Sequence, residues 1–347
     1  MHALEMIGYT EKEVKTMLKK YPKIAALTYE NISEKLSLLI SLGYTKTESI
    51  NLGKKFAEIF GLSRESIKAK FQFLLDLGYS QKEIIKMSKK LPNIYSFSRE
   101  NILKKIADLI KFGFTLEDVM KMTKVYPSIY CYNIETLKIK FANLEELGFN
   151  KETVIKMTII LPALLGLTKQ VLEEKIHHLL ALGYSKKNVL NMCQSFPTVL
   201  TVSKETIETR FKLLYDCGFT KEEIVKITGN FPSFLLLNDS NVLAKINFFR
   251  SIGLANVIVN DSKKLMQSLE LTYARYAYFQ EINHEVNSSN YFRLFYSQKN
   301  FIKRYGVDNK TLLAKYLLDD EIKKGMKQNV WRFNWTWLWQ RNTWSYR

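Results

Sequence analysis

All six prolines of this chain, Pro22, Pro92, Pro127, Pro162, Pro197 and Pro232, fall in one register of a 35-residue period, and eight of its fourteen glycines fall in another. The glycines are Gly8, Gly43, Gly78, Gly113, Gly148, Gly183, Gly218 and Gly253; no insertion interrupts them, and each proline stands 14 residues after one of them. A fixed spacing of this size marks a stacked array in which each unit buries its apolar face against its neighbours. Function in such a chain is therefore sought in columns of equivalent residues.

The unit that starts at Gly78 reads GYSQKEIIKMSKKLPNIYSFSRENILKKIADLIKF and carries the signals of two helices. Two residues after each glycine stands Thr10, Thr45, Ser80, Thr115, Asn150, Ser185 or Thr220, whose side chains can accept from the free N–H groups of a new helix. Glu13, Glu48, Glu83, Asp118 and Glu223, three further on, complete capping boxes. Helix A then runs to the proline, which cannot continue it, and marks its apolar face with Ile84, Met87 and Leu91.

A second capping series, Thr28, Ser63, Ser98, Asn133, Thr168, Ser203 and Asn238, opens helix B. Its apolar positions, for example Ile102, Ile106, Leu109 and Phe112, recur at three- and four-residue steps and stop at the next glycine, a natural C-terminal cap. Segments between proline and second cap, such as PNIYSF and PALLGL, suit a tight 3₁₀ turn. The fold class is all-α: a right- or left-handed superhelical α-solenoid of 35-residue helix-turn-helix repeats. About seven units fill residues 1–253, a degenerate capping repeat with C-terminal helices follows over 254–327, and a Trp-rich tail occupies 328–347.

An excess of 52 Lys and Arg over 34 Asp and Glu, a formal charge of +18, favours a polyanionic partner, either nucleic acid or an anionic membrane surface. No apolar stretch approaches the roughly 18 residues that span a bilayer, so a soluble protein with no membrane partner is expected. Cys131, Cys193 and Cys217 have no paired spacing and read as buried thiols of a reducing compartment. The N-terminus, with Glu5 early and no Arg, has the pattern of neither a secretory signal nor a transit peptide.

The pattern LGY(T/S)xEEIxKMxxxxPxxxxxSxExxxxKxxFLLxLG, repeated in phase over roughly residues 1–253, resembles the repeat of the mitochondrial transcription termination factor (mTERF) family. The resemblance implies a curved array of helix pairs, each with a short 3₁₀ helix. It implies binding of double-stranded DNA, or of structured RNA, in transcription termination, transcript processing or ribosome assembly. It also implies a mitochondrial or plastid location for a eukaryotic protein whose presequence is missing here, and a cytoplasmic one for a bacterial protein. The second unit departs from the pattern, with Ala57 in the proline position and added Gly53 and Gly61.

Position 27 after each glycine is basic in all seven complete units: Lys35, Lys70, Lys105, Lys140, Lys175, Arg210 and Lys245. Such a column can trace a charged line for regularly spaced phosphates. It can equally pack its stems against the neighbouring helix B and cap carbonyls with its charged heads. Two further columns lie on helix A: Lys86, Lys121, Lys156 and Lys226 at one position, and Lys19, Lys54, Lys89 and Lys124 near the helix end. They read either as a solvated face with favourable charge at a helix C-terminus or as further phosphate contacts.

No catalytic motif, cofactor loop or metal-ligand spacing is found, so an enzyme is not expected. His177 and His178 are adjacent and project about 100° apart around a helix. Met17, Met87, Met122, Met157 and Met192 form a column better suited to core filling than to ligation. Beyond Gly253 the cap is lost to Leu254 and Ala255, yet Arg275, Tyr276 and Phe279 imitate helix B after a short deletion, and Asp308 offers a new cap. The expectation is a monomeric, nucleic-acid-binding solenoid that regulates transcription, with structured-RNA binding and a protein-interaction scaffold as the alternatives.

Overall fold

The computed structural model of the chain describes residues 3–318 and 320–326; the Trp-rich tail lies outside them. The described residues are 78% helical and contain no strand. After α1 (Ala3–Ile7) the helices alternate in pairs: α2 (Glu11–Lys20) and α3 (Tyr29–Ser41), α4 (Lys46–Lys55) and α5 (Arg64–Asp76), α6 (Gln81–Lys90) and α7 (Arg99–Phe112), α8 (Leu116–Val125) and α9 (Ile134–Glu146). Next come α10 (Lys151–Ile160) and α11 (Lys169–Ala181), α12 (Lys186–Ser195) and α13 (Lys204–Asp216), α14 (Lys221–Asn230) and α15 (Asp239–Ser251), and α16 (Ala255–Asn260) and α17 (Leu269–Glu281). The last described helices are α18 (Gln298–Tyr305), α19 (Asn309–Lys315) and α20 (Asp320–Met326).

Two compact units divide the chain, Met1–Val171 and Leu172–Arg347. In the first, the even-numbered helices form one layer, α4 packing on α6, α6 on α8 and α8 on α10. In the second, α12 packs on α14 and α14 on α16. We call these even-numbered helices the A layer and the odd-numbered ones the B layer.

Local chemistry sets each boundary. All five capping boxes close, with Thr10, Thr45, Ser80, Thr115 and Thr220 each paired reciprocally to the acid three residues on. Each A helix from α2 to α14 ends at a residue with φ near −130°, and the following residue opens a 3₁₀ helix, for instance Pro92–Ser96, closed by Phe97 N–H on the Ile94 carbonyl. Proline suits that position because its missing N–H has no intrahelical partner to lose. Ala57 serves there as well, opening Ala57–Gly61 with the same geometry.

The B helices end in a repeated Schellman turn: Gly43 at φ +93° donates to the Ile40 carbonyl at 2.9 Å, and Tyr44 donates to Leu39 at 3.2 Å. The core is built from matched columns. Met17, Met87, Met122, Met157 and Met192 are all fully buried, as are Ile32, Ile67, Ile102, Leu137 and Ile207 on the B helices. Phe112, expected on the same apolar face, is half-buried at the end of α7, its ring 4.3 Å from Phe141.

One buried polar ladder has no counterpart in the sequence reading. A tyrosine directly after the repeat glycine sends its ring under the next A helix: Tyr44 Oη lies 2.6 Å from Ser88 Oγ and 2.7 Å from Tyr95 Oη, and Tyr79 repeats this with Thr123 and Tyr130. Tyr184 meets Thr228 in the second unit. Gly53 fits the same ladder, since a Cβ there would run into Phe60 and the Tyr9 hydroxyl, which instead donates to the Ile50 carbonyl. Gly61 likewise leaves room for the Tyr21 hydroxyl.

The ladder breaks at Phe114, which has no hydroxyl to offer, and Thr158 Oγ1 is buried with no hydrogen-bond partner among the described residues. Phe114→Tyr should therefore stabilise the protein by about 1 kcal/mol, raising the melting temperature by roughly 2–4 °C. A lower melting temperature would show that the added oxygen finds no room beside Thr158.

Past α15 the period fades for a physical reason. Leu254 caps α16 with no side-chain bond, and this A helix has six residues in place of ten. After α17 the A helix is replaced by residues 283–290, folded by Asn287, whose Oδ1 accepts from Ser289 N–H at 3.0 Å. A 3₁₀ helix at Tyr291–Phe295 and α18 then restore the order, and Asp308 caps α19 by accepting from Thr311 N–H.

Candidate nucleic-acid interface

The seven-membered basic column lies between successive B helices. Lys105 donates to the Tyr132 carbonyl, Lys140 to Leu167 at 2.6 Å, Lys175 to Val202, Arg210 to Leu237 and Lys245 to Leu265. These acceptors lie at the end of the next unit's 3₁₀ helix or one or two residues past it, just before the second cap. Lys70 is buried with its ammonium 5.4 Å from the centre of the Phe73 ring, and Lys35 is half-buried.

Arg275 is an eighth member, 1% exposed, donating to the Leu294 carbonyl at 2.8 Å, to Tyr296 at 2.7 Å and to Asn309 Oδ1 at 2.8 Å. Burial pushes Lys70, Lys175, Arg210 and Lys245 below their ordinary values. It moves Arg275 down to about 10, which still leaves the guanidinium charged at neutral pH. From Lys105 to Arg275 each charged donor satisfies a carbonyl at the end of a short 3₁₀ turn.

The helix-end column on the A layer is paired across units. Lys54 binds Glu13, Lys89 binds Glu48, and Lys124 binds Glu83 at 3.0 Å, so these three capping-box glutamates serve both their own helix N-terminus and the next unit's lysine. Beside them, Lys55 reaches the Lys89 carbonyl at 3.2 Å and Lys90 the Val125 carbonyl at 2.7 Å, tying the C-terminal ends of adjacent A helices.

Hydrogen bonds from these lysines and from the N-cap backbone hold the Glu48 carboxyl below its usual range, and backbone and lysine bonds do the same for Glu83. The same contacts lower Glu13 from 4.5 to about 2. A carboxylate with a depressed folded pKa stabilises fully above its unfolded pKa and loses that contribution as pH falls through the folded value. The melting temperature should thus decline between about pH 4.5 and 2, and Glu48→Gln should blunt the decline. An identical acid profile in the variant would remove this pair from the account.

The mid-helix column is the exposed one. Lys86 and Lys121 stand free of protein partners among the described residues; Lys156 pairs with Glu152 one turn back at 2.6 Å, and Lys226 donates to Asn260 Oδ1 at 2.7 Å. In the first unit the charge is segregated by layer. The helices α2, α4, α6, α8 and α10 carry fifteen lysines against seven acids, and α6 alone, QKEIIKMSKK, has four against one. The helices α3, α5, α7 and α9 carry ten basic residues against nine acids, and four of those ten belong to the interior column. The outer B surface is therefore acidic on balance, while the A surface is positive.

Among the described residues no group of His, Cys, Asp and Glu is placed to hold a metal ion, and no helix is long and apolar enough to cross a membrane. Cys193 and Cys217 are buried, and Cys131 is exposed. Burial raises the Cys193 thiol to about 12, which leaves it protonated. No curated protein matches the chain. The family model described as mTERF matches it in two overlapping segments, residues 2–144 and 139–301.

Proposed function

The chain belongs to the mTERF family, whose members are nucleic-acid-binding helical-repeat proteins, and from that premise we propose that it binds duplex DNA along the A layer of its first unit and regulates transcription, including its termination. The observation that supports this reading most is the charge segregation, which gathers exposed ammonium groups on α2 to α10 and leaves the outer B surface acidic. Packed helices lie roughly 8–10 Å apart, so equivalent lysines on successive A helices recur at a spacing from which flexible stems reach neighbouring phosphates.

Under this proposal Lys86, Lys121 and Lys156 contact phosphate, with Lys89 and Lys124 adding to the local potential while paired to glutamates. The basic column from Lys35 to Lys245 serves the stacking of B helices. Contacts of this type position the ligand without reading its sequence. Binding measured on matched duplex DNA, duplex RNA and single strands at low salt tests it. The expected order places duplex DNA first, with affinity falling by roughly 10³-fold between 50 and 200 mM salt if about six phosphates are engaged. Tighter binding of duplex RNA would move the ligand to structured RNA, and no binding to any of the three would end the nucleic-acid reading.

A further inference from the structure

Within the second unit the A layer changes chemistry. Where α6 and α8 present lysines at the mid-helix position, α12 presents Asn191, and the capping-box acid is replaced by Asn188. On α14 the two positions that carry lysines in α6 are Gly229 and Asn230. The three asparagines are exposed, and their carboxamides make no hydrogen bond to protein among the described residues. They line a groove of about 550 Å³ between α12 and α14, shared with Lys221, Glu222 and Lys226. Gly229 brings no side chain of its own where lysine stands in α6, and a Cβ there would lie 3.7 Å from the Tyr184 ring.

The three unfixed carboxamides carry no charge with which to hold phosphate, and Glu222 offsets one of the two lysines, so the floor between Lys221 and Lys226 is polar rather than cationic. The carboxamides and the carboxylate suit base edges: a carboxamide offers a donor and an acceptor side by side, matching adenine N6 and N7 in the major groove, and a carboxylate accepts from an exocyclic amino group. Lys226, held by Asn260 at 2.7 Å at the groove wall, can meet the flanking phosphate. Resting on the nucleic-acid reading above, we infer that the groove between α12 and α14 is a base-reading subsite that prefers A·T pairs, separate in role from the phosphate-contacting lysines of the first unit.

The test is selection from a random duplex DNA library with the full chain, followed by affinity measurements on the selected and on a scrambled duplex for native protein and for Asn191→Ala/Asn230→Ala. The native protein should enrich an A·T-containing site. The double variant should lose roughly 10- to 100-fold on that site while its affinity for the scrambled duplex and its melting temperature stay unchanged. The inference is overturned if no sequence is enriched, if the variant retains the same preference, or if both duplexes weaken equally, which would make the groove a phosphate clamp. Failure of native protein to bind any duplex at low salt is a different result, because it removes the parent reading together with the subsite.

Discussion

Arg275→Met should lower the melting temperature by roughly 6–12 °C, the effect of losing about 3 kcal/mol in a unit of this size. The guanidinium is buried and bridges α17 to the Tyr291–Phe295 turn and to α19 through three acceptors. Methionine fills much of the volume but donates nothing. The Leu294 carbonyl keeps its bond from Gln267, whereas the Tyr296 carbonyl and Asn309 Oδ1 lose the bonds that tie them to α17. Arg275→Lys should fall between the two, because one ammonium cannot reproduce a planar fork aimed at three oxygens. A melting temperature within a degree of native for Arg275→Met would mean that the buried donor contributes nothing net.

The second large effect is on binding. Replacing Lys86, Lys121 and Lys156 together by Gln should weaken duplex DNA binding by roughly 10²-fold or more and flatten the dependence of log affinity on log salt by about one unit per lost contact. Stability should be untouched, because Lys86 and Lys121 have no partner among the described residues and the Lys156–Glu152 pair is an exposed one-turn contact. The comparison protein carries Lys70→Met, Lys105→Met and Lys140→Met. That variant should melt earlier, since the carbonyls of Tyr132 and Leu167 lose charged donors, while any binding it retains keeps the native salt slope. The opposite pattern would return the phosphate contacts to the interior column.

Features that act over three or four residues were legible in the sequence. Every cap from Thr10 to Asn238 carries its own partner within one turn, so side-chain type and spacing suffice to find it. The glycine and proline registers fixed the helix ends for the same reason. What the sequence withheld were pairings between units. Lys105 stands 27 residues from the Tyr132 carbonyl, and Lys89 stands 41 from Glu48, whose capping role gave no hint of a second partner. The basic column was visible, but a column alone does not reveal whether its charges meet carbonyls or solvent.

The Tyr and Ser/Thr ladder was missed although both members recur in register. Aligning Tyr44, Tyr79 and Tyr184 against Ser88, Thr123 and Thr228 would have suggested it. The fading of the repeat after Gly253 came from a shortened and then a missing A helix, a change that periodicity registers only as loss.

The central claim is that nucleic acid lies on the A layer of the first unit, and lysine acylation with and without bound duplex tests it most directly. Lys86 and Lys121 are exposed on the A layer, and Lys68, Lys104 and Lys138 are exposed on the B layer. The account predicts that duplex DNA protects Lys86 and Lys121 and leaves Lys68, Lys104 and Lys138 as reactive as in the free protein. Protection of the B-layer lysines, with Lys86 and Lys121 still reactive, would contradict it.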